Sequence, residues 1–243
     1  MQLFSWLHKQ LTGRPHIRRT SARKPTPRFR PQLEVLEDRW LPSMLTVTSS
    51  GDAGKGTLRY EIAHANNRDT IVFAPGIHTI TLHSNDLVIT ARNLTIKGPG
   101  ADKLTVTTDF ISDDAFYGYY GARIFEVAAG SVVTISGLTL SNGTGRANAY
   151  SSSPNDRKGG AILNSGTLTI SGCTVTGNDA DYGGGIYTTG NLTVNSCTFF
   201  GNYADAYFGG DAIYNAGTLI ITGSIFQDRI VGPYTDGGGN TFN

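Results

Sequence analysis

Between Gly159 and Phe226 apolar residues come in short alternating bursts, each broken by Gly, Asn or Ser. Gly159-Gly160-Ala161-Ile162 opens one stretch that runs through Leu168-Thr169-Ile170 and Cys173-Thr174-Val175 to Asn178. The same order returns 24 residues later as Gly183-Gly184-Gly185-Ile186, Leu192-Thr193-Val194, Cys197-Thr198-Phe199 and Asn202. A third copy runs from Ala212-Ile213 through Leu219-Ile220-Ile221 to Ser224-Ile225-Phe226. Looser copies lie at Ile124–Leu140 and around Leu94–Val106. Alternation predicts strands with one buried face, three to a copy. An antiparallel meander also alternates, but it does not keep one residue type at one place every 24 residues. Coiling does, because each strand then stacks on its equivalent about 4.8 Å away.

The expected fold is therefore all-β: a right-handed single-stranded parallel β-helix over residues 44–231. Its inward columns read Ile162/Ile186/Ile213, Leu168/Leu192/Leu219, Ile170/Val194/Ile221, Cys173/Cys197/Ser224 and Val175/Phe199/Phe226. Asn178 and Asn202 stack at a turn, where an amide bonds from copy to copy. Thr57–Asn66 reads as a short helix with Leu58, Ile62 and Ala65 on one face, placed to cap the first coil. Residues 232–243 read as a Gly-rich uncapped tail, which leaves the last coil open to end-to-end pairing or continuation.

Charge divides the chain differently. Residues 1–43 hold nine Lys or Arg against three acids, while the other 200 residues are mildly acidic. The basic arm lacks aromatic interleaving, so it reads as a largely disordered leader, and no nucleic acid partner is expected. No run reaches 18 apolar residues, so no transmembrane helix is expected. Cys173 and Cys197 are expected as buried free thiols.

Three motifs carry resemblances. Gly159-Gly160-Ala161-Ile162, Gly183-Gly184-Gly185-Ile186 and Phe199-Phe200-Gly201-Asn202 resemble the repeats of chlamydial polymorphic outer membrane proteins. Gly56-Thr57-Leu58-Arg59-Tyr60-Glu61-Ile62 and Asp69-Thr70-Ile71-Val72-Phe73 are similar to the opening of bacterial pectin-lyase-like β-helix proteins. Leu33-Glu34-Val35-Leu36-Glu37-Asp38-Arg39-Trp40-Leu41-Pro42-Ser43 resembles a sorting motif of planctomycete surface proteins. These resemblances imply a secreted, cell-surface or outer-membrane-associated protein with an adhesive or structural role.

Chemistry is expected on one edge. Segments 109–123, 141–158, 176–184 and 200–210 each join the third strand of a copy to the first strand of the next. They hold Tyr117, Tyr119, Tyr120, Tyr150, Tyr182, Tyr203 and Tyr207, with Asp113, Asp114 and Asp205 and the bases Arg146, Arg157 and Lys158. Binding residues concentrate on loops held by a rigid scaffold. Aromatic and carboxylate side chains together suit a polysaccharide or a cell-surface protein. No cofactor is expected; calcium is the one ion the acidic edge would suit, and only Asp113-Asp114 are adjacent. The pectin-lyase-like resemblance implies a second reading, a polysaccharide lyase or glycoside hydrolase, with Arg146, Arg157 or Lys158 as base near Asp113 and Asp114. Ser112-Asp113-Asp114 echoes the hydrolase motif, but the His and Arg-x-Lys motifs that should follow are missing, and His8, His16, His64, His78 and His83 form no constellation. A noncatalytic role is expected. A third reading is a fragment of a longer surface protein.

Overall fold

The computed structural model describes residues 42–90, 93–109, 111–114, 118–120, 122–145, 157–205, 207 and 209–243, with 111–114 and 118–120 as backbone alone. The leader motif up to residue 41 lies outside the described residues.

Three parallel sheets wind along the chain as a right-handed parallel β-helix. One coil shows the order: Ile162–Asn164 lies in sheet one, Thr167–Ser171 in sheet two and Thr174–Thr176 in sheet three. Sheet one runs from Leu87–Ile89 to Ile230–Val231, sheet two from Met44–Val47 to Thr235–Asp236, and sheet three from Thr79–Leu82 to Thr241–Phe242. The ladders hold the expected columns in register. Ile162 pairs with Ile186 and Ile186 with Ile213; Leu168, Leu192 and Leu219 align, as do Ile170, Val194 and Ile221; and Val175, Phe199 and Phe226 align. All are buried in one continuous core. Each fully buried Leu, Ile or Phe contributes about 1.5–3 kcal/mol, so every coil brings its own share of stability.

Polar columns run beside the apolar ones. Asn178 Nδ2 donates to the carbonyls of Leu140 and Thr176 and to Asn202 Oδ1 (2.8 Å), while its own Oδ1 accepts from Gly143 N. Asn202 Nδ2 in turn donates to Val175 O and to Asp228 Oδ2 (2.7 Å). Asp228 thus extends the ladder by one coil and accepts the backbone N–H groups of Gly201 and Asn202. Cys173 and Cys197 are free and buried, with Cys173 N donating to Cys197 Sγ and Cys197 N to Ser224 Oγ. The contact with Cys173, together with burial, pushes the Cys197 thiol well above its ordinary range, so no thiolate is offered there.

The cap forms as a helix over Leu58–His64, with Thr57 as N-cap accepting from Tyr60 N and with Leu58 and Ile62 buried. Arg59 fastens it: the guanidinium pairs with Asp52 (2.7 Å) and donates to the carbonyls of Asn85 and Asp86. Beside it, Asp69 is buried and accepts from Ser43 N and Asn66 N, both at 2.8 Å. Burial alone would raise the Asp69 carboxyl; the two backbone donors outweigh it and hold the group below its ordinary value. A lowered folded pKa contributes stability above the unfolded value of about 3.9, lost as pH falls through the folded value. Amide exchange at Ser43 and Asn66 is therefore expected to speed up on acidification, and Asp69→Asn is expected to flatten that pH profile.

The far end carries further strand pairing. Residues 232–243, expected as a Gly-rich uncapped tail, add one more shortened coil of strand pairing. Thr235–Asp236 pairs with Ile220-Ile221 and Thr241–Phe242 with Ile225-Phe226. Left-handed turns at Gly232 (φ 96°) and Gly238 (φ 92°) tighten its corners, and Phe242 stacks on Phe226 at 5.6 Å.

Candidate ligand-binding edge

Coil length varies chiefly at one corner. From sheet two to sheet three the inward residues are nine and ten apart in the first two coils, Ile71 to Ile80 and Ile96 to Val106, and five apart in the next four, from Ile135 to Leu140 through Ile221 to Phe226. From sheet three to sheet one the intervals are 19 (Val106 to Phe125), 22 (Leu140 to Ile162), 11 (Val175 to Ile186) and 14 (Phe199 to Ile213). A closed parallel ladder tolerates insertion only where chain can leave it, so extra residues collect at this edge.

The corner is nevertheless ordered where it is described. Asp179 bridges Thr144 on one side and Tyr203 on the other, Ala180 pairs with Ala204, and Lys158 bridges Tyr182. The paired glycines explain themselves here. Gly159 and Gly183 are left-handed (φ 65° and 64°), and a Cβ on either would lie 2.1–2.2 Å from the carbonyl oxygen of Ile162 or Ile186. Gly160 and Gly184 lie against the next coil, where a Cβ would meet Gly184 O at 2.3 Å or Tyr203 O at 2.2 Å. Only glycine lets the loop turn back onto sheet one with the coils at their normal spacing.

This turn gathers a side-chain pile. Tyr187 and Tyr214, paired one coil apart, stack with centroids 5.3 Å apart and planes 12° from parallel. Tyr182 stands edge-on to Tyr214 at 5.4 Å and to Tyr187 at 6.4 Å. Lys158 Nζ lies 5.1 Å from the Tyr187 ring centroid, within cation–π reach. Burial, then the neighbouring phenols of Tyr214 and Tyr182, push the Tyr187 phenol up, so it stays a protonated donor at neutral pH. Arg157 Nη1 meets Asp181 Oδ2 at 3.1 Å, and the Arg157 carbonyl accepts from Asp181 N and Tyr182 N.

The other expected residues are distributed along the edge. Backbone pairing sets Asp113 opposite Tyr119, Asp114 opposite Gly118 and Ile111 opposite Tyr120 in an antiparallel hairpin. Tyr117, Arg146 and Tyr150 lie outside the described residues. Tyr207 is 89% exposed, and its N–H donates to Asp205 Oδ1, so that carboxylate holds its own loop. Tyr203, 55% exposed, lines an open cleft of about 630 Å³ with Asp211, Asp228, Arg229 and Tyr234. Asp211 Oδ1 accepts from Ala204 N at 2.8 Å. Among the described residues no group of three or more His, Cys, Asp or Glu could hold a metal ion.

Tyr187 and Tyr214 were not among the candidate residues from sequence. Each follows an inward Ile on sheet one, so a search confined to loops passes over them. Their register, 27 residues apart, is the signal that finds them.

No family model matches this chain, and neither a curated protein nor a solved structure matches it.

Proposed function

We propose that this chain is a noncatalytic β-helix of a cell surface or of the extracellular space, adhesive or structural, that binds polysaccharide along the edge between sheets three and one. The pile of Lys158, Tyr187 and Tyr214 with Tyr182 carries the reading. The Tyr187 and Tyr214 rings face one another, so what the pile offers a ligand is ring edges, phenol hydroxyls and one ammonium. These suit sugar hydroxyls and an acidic substituent better than a flat apolar partner. The neighbouring carboxylates support binding over bond cleavage, since Asp181, Asp205 and Asp211 each hold a side chain or backbone group of the edge itself. The surface address and a kinship with pectin-lyase-like and polymorphic outer membrane proteins rest on the short motifs quoted above and belong to this proposal.

Tyr187→Ala and Lys158→Ala are each expected to weaken binding to the best ligand on a glycan array about tenfold, a loss of roughly 1.4 kcal/mol. Unchanged binding in both variants would sink the assignment. Release of unsaturated or reducing sugars by the wild-type chain would put the lyase or hydrolase reading in its place.

A further inference from the structure

We propose that the outer face of sheet three is an ice-binding surface, on which two columns of threonine side chains hold water in an ice-like lattice. Each strand of this sheet turns a middle residue inward, and Ile80, Val106, Leu140, Val175 and Phe199 are all fully buried. The residues on either side face outward. Register sets Thr79, Thr105, Thr139, Thr174 and Thr198 in one outward column, which continues to Ile225 and Thr241. The second runs Thr81, Thr107, Ser141 and Thr176 and ends at Phe200. Over the five strands from Thr79–Leu82 to Thr198–Phe200, eight of the ten outward positions are Thr and none is charged.

Strand propensity favours Thr on every sheet, so one Thr column carries no argument by itself; sheet three differs in setting two Thr-rich columns side by side without a charge between them. The matching positions of sheet one are Val88, Glu126, Leu163, Tyr187 and Tyr214, with no Thr among them. Sheet two carries one unbroken Thr column, Thr70, Thr95, Thr134, Thr169 and Thr193, but the outward positions beside it include Lys97, Val132, Asn191 and Asn195.

The array has a fixed two-dimensional repeat. Equivalent residues recur about 4.8 Å apart from coil to coil, and outward neighbours on one strand lie about 6.6–6.8 Å apart. Hexagonal ice repeats its oxygens at closely similar intervals. Each Thr supplies a hydroxyl that can occupy an oxygen position and a methyl that excludes liquid water from it. Its branched Cβ makes the side chain stiff, and the buried residue behind it holds the strand still, so little ordering cost remains when a lattice docks. Two hydroxyls are already oriented: Thr139 Oγ1 donates to Ala101 O at 2.7 Å, and Thr107 Oγ1 accepts from Asn142 Nδ2 at 3.1 Å. The lack of charge matters because a Lys or Glu on the face would keep its own hydration shell. A crystalline polysaccharide fits less well, since until Phe200 the array offers sugar rings no aromatic platform.

The test is growth of single ice crystals in the presence of the full chain, scored by crystal shape and by the gap between melting and freezing temperatures. The wild-type chain is expected to facet the crystals and open a gap. Thr176→Lys and, separately, Thr107→Lys are expected to abolish both effects, while Thr169→Lys on sheet two leaves them intact. Circular dichroism melting of each variant separates loss of the face from loss of the fold, and the two positions back one another up. Rounded crystals with the wild-type chain overturn the proposal. So does equal loss in Thr169→Lys, or retention on crystalline chitin without any effect on ice.

Discussion

Phe199→Ala is expected to destabilise the chain by about 3–5 kcal/mol. It is also expected to fray the coil stack from its C-terminal side. Phe199 is fully buried, lies under Val175 in register and stacks on Phe226 at 4.8 Å. Phe226 stacks in turn on Phe242. Removing the ring leaves a cavity between the Val175 and Phe226 side chains, because the ladders above and below hold the coils at strand spacing and limit collapse. A solenoid's stability is close to a sum of coil terms and nearest-neighbour terms, so one cavity weakens both interfaces of its coil. Urea unfolding followed by circular dichroism measures the loss, and faster tryptic cleavage at Arg229 locates it. A change below about 1 kcal/mol would mean that the coils close over the gap after all.

That residue belongs to the part of the fold most legible in the sequence. Columns such as Ile162, Ile186 and Ile213 recur because stacked coils demand the same shape at the same place, and the repeat records this demand directly. The edge was legible for the complementary reason: extra chain leaves a closed ladder only at a corner, so irregular segments marked where it would be. What escaped notice lies where one side chain takes over another's role. Asp228 accepts where Asn178 and Asn202 both donate and accept, and the change of residue hides the ladder's next rung. Tyr187 and Tyr214 look like ordinary outward strand positions until register stacks them. The pairing of the last strands is not legible in their sequence, where the glycines read as a tail and in space make tight corners. The Asp113–Tyr119 pairing depends on a hairpin within a loop, whose sequence has no period to read.

Asn202→Asp should turn the ladder into a pH-dependent fault. Asn202 is buried, and its Nδ2 donates to Val175 O at 2.9 Å and to Asp228 Oδ2 at 2.7 Å. A carboxylate in its place would lose both donations and set two like charges at hydrogen-bonding distance. Burial and the Asp228 charge both favour the protonated form, so the new carboxyl would titrate higher in the folded chain than in the unfolded one. A raised folded pKa makes stability fullest below the unfolded value, and it is lost as pH rises through the folded value. Near neutral pH the cost should reach about 3–5 kcal/mol, that of a buried charge left without a counterion. Below pH about 4 the introduced carboxyl, once protonated, can again donate to one oxygen of Asp228, and much of the loss should return. Melting temperatures of wild type and variant across that range test the sign directly. A difference that stays constant with pH would show that water or backbone movement separates the two carboxyls, and that the ladder is looser than its distances imply.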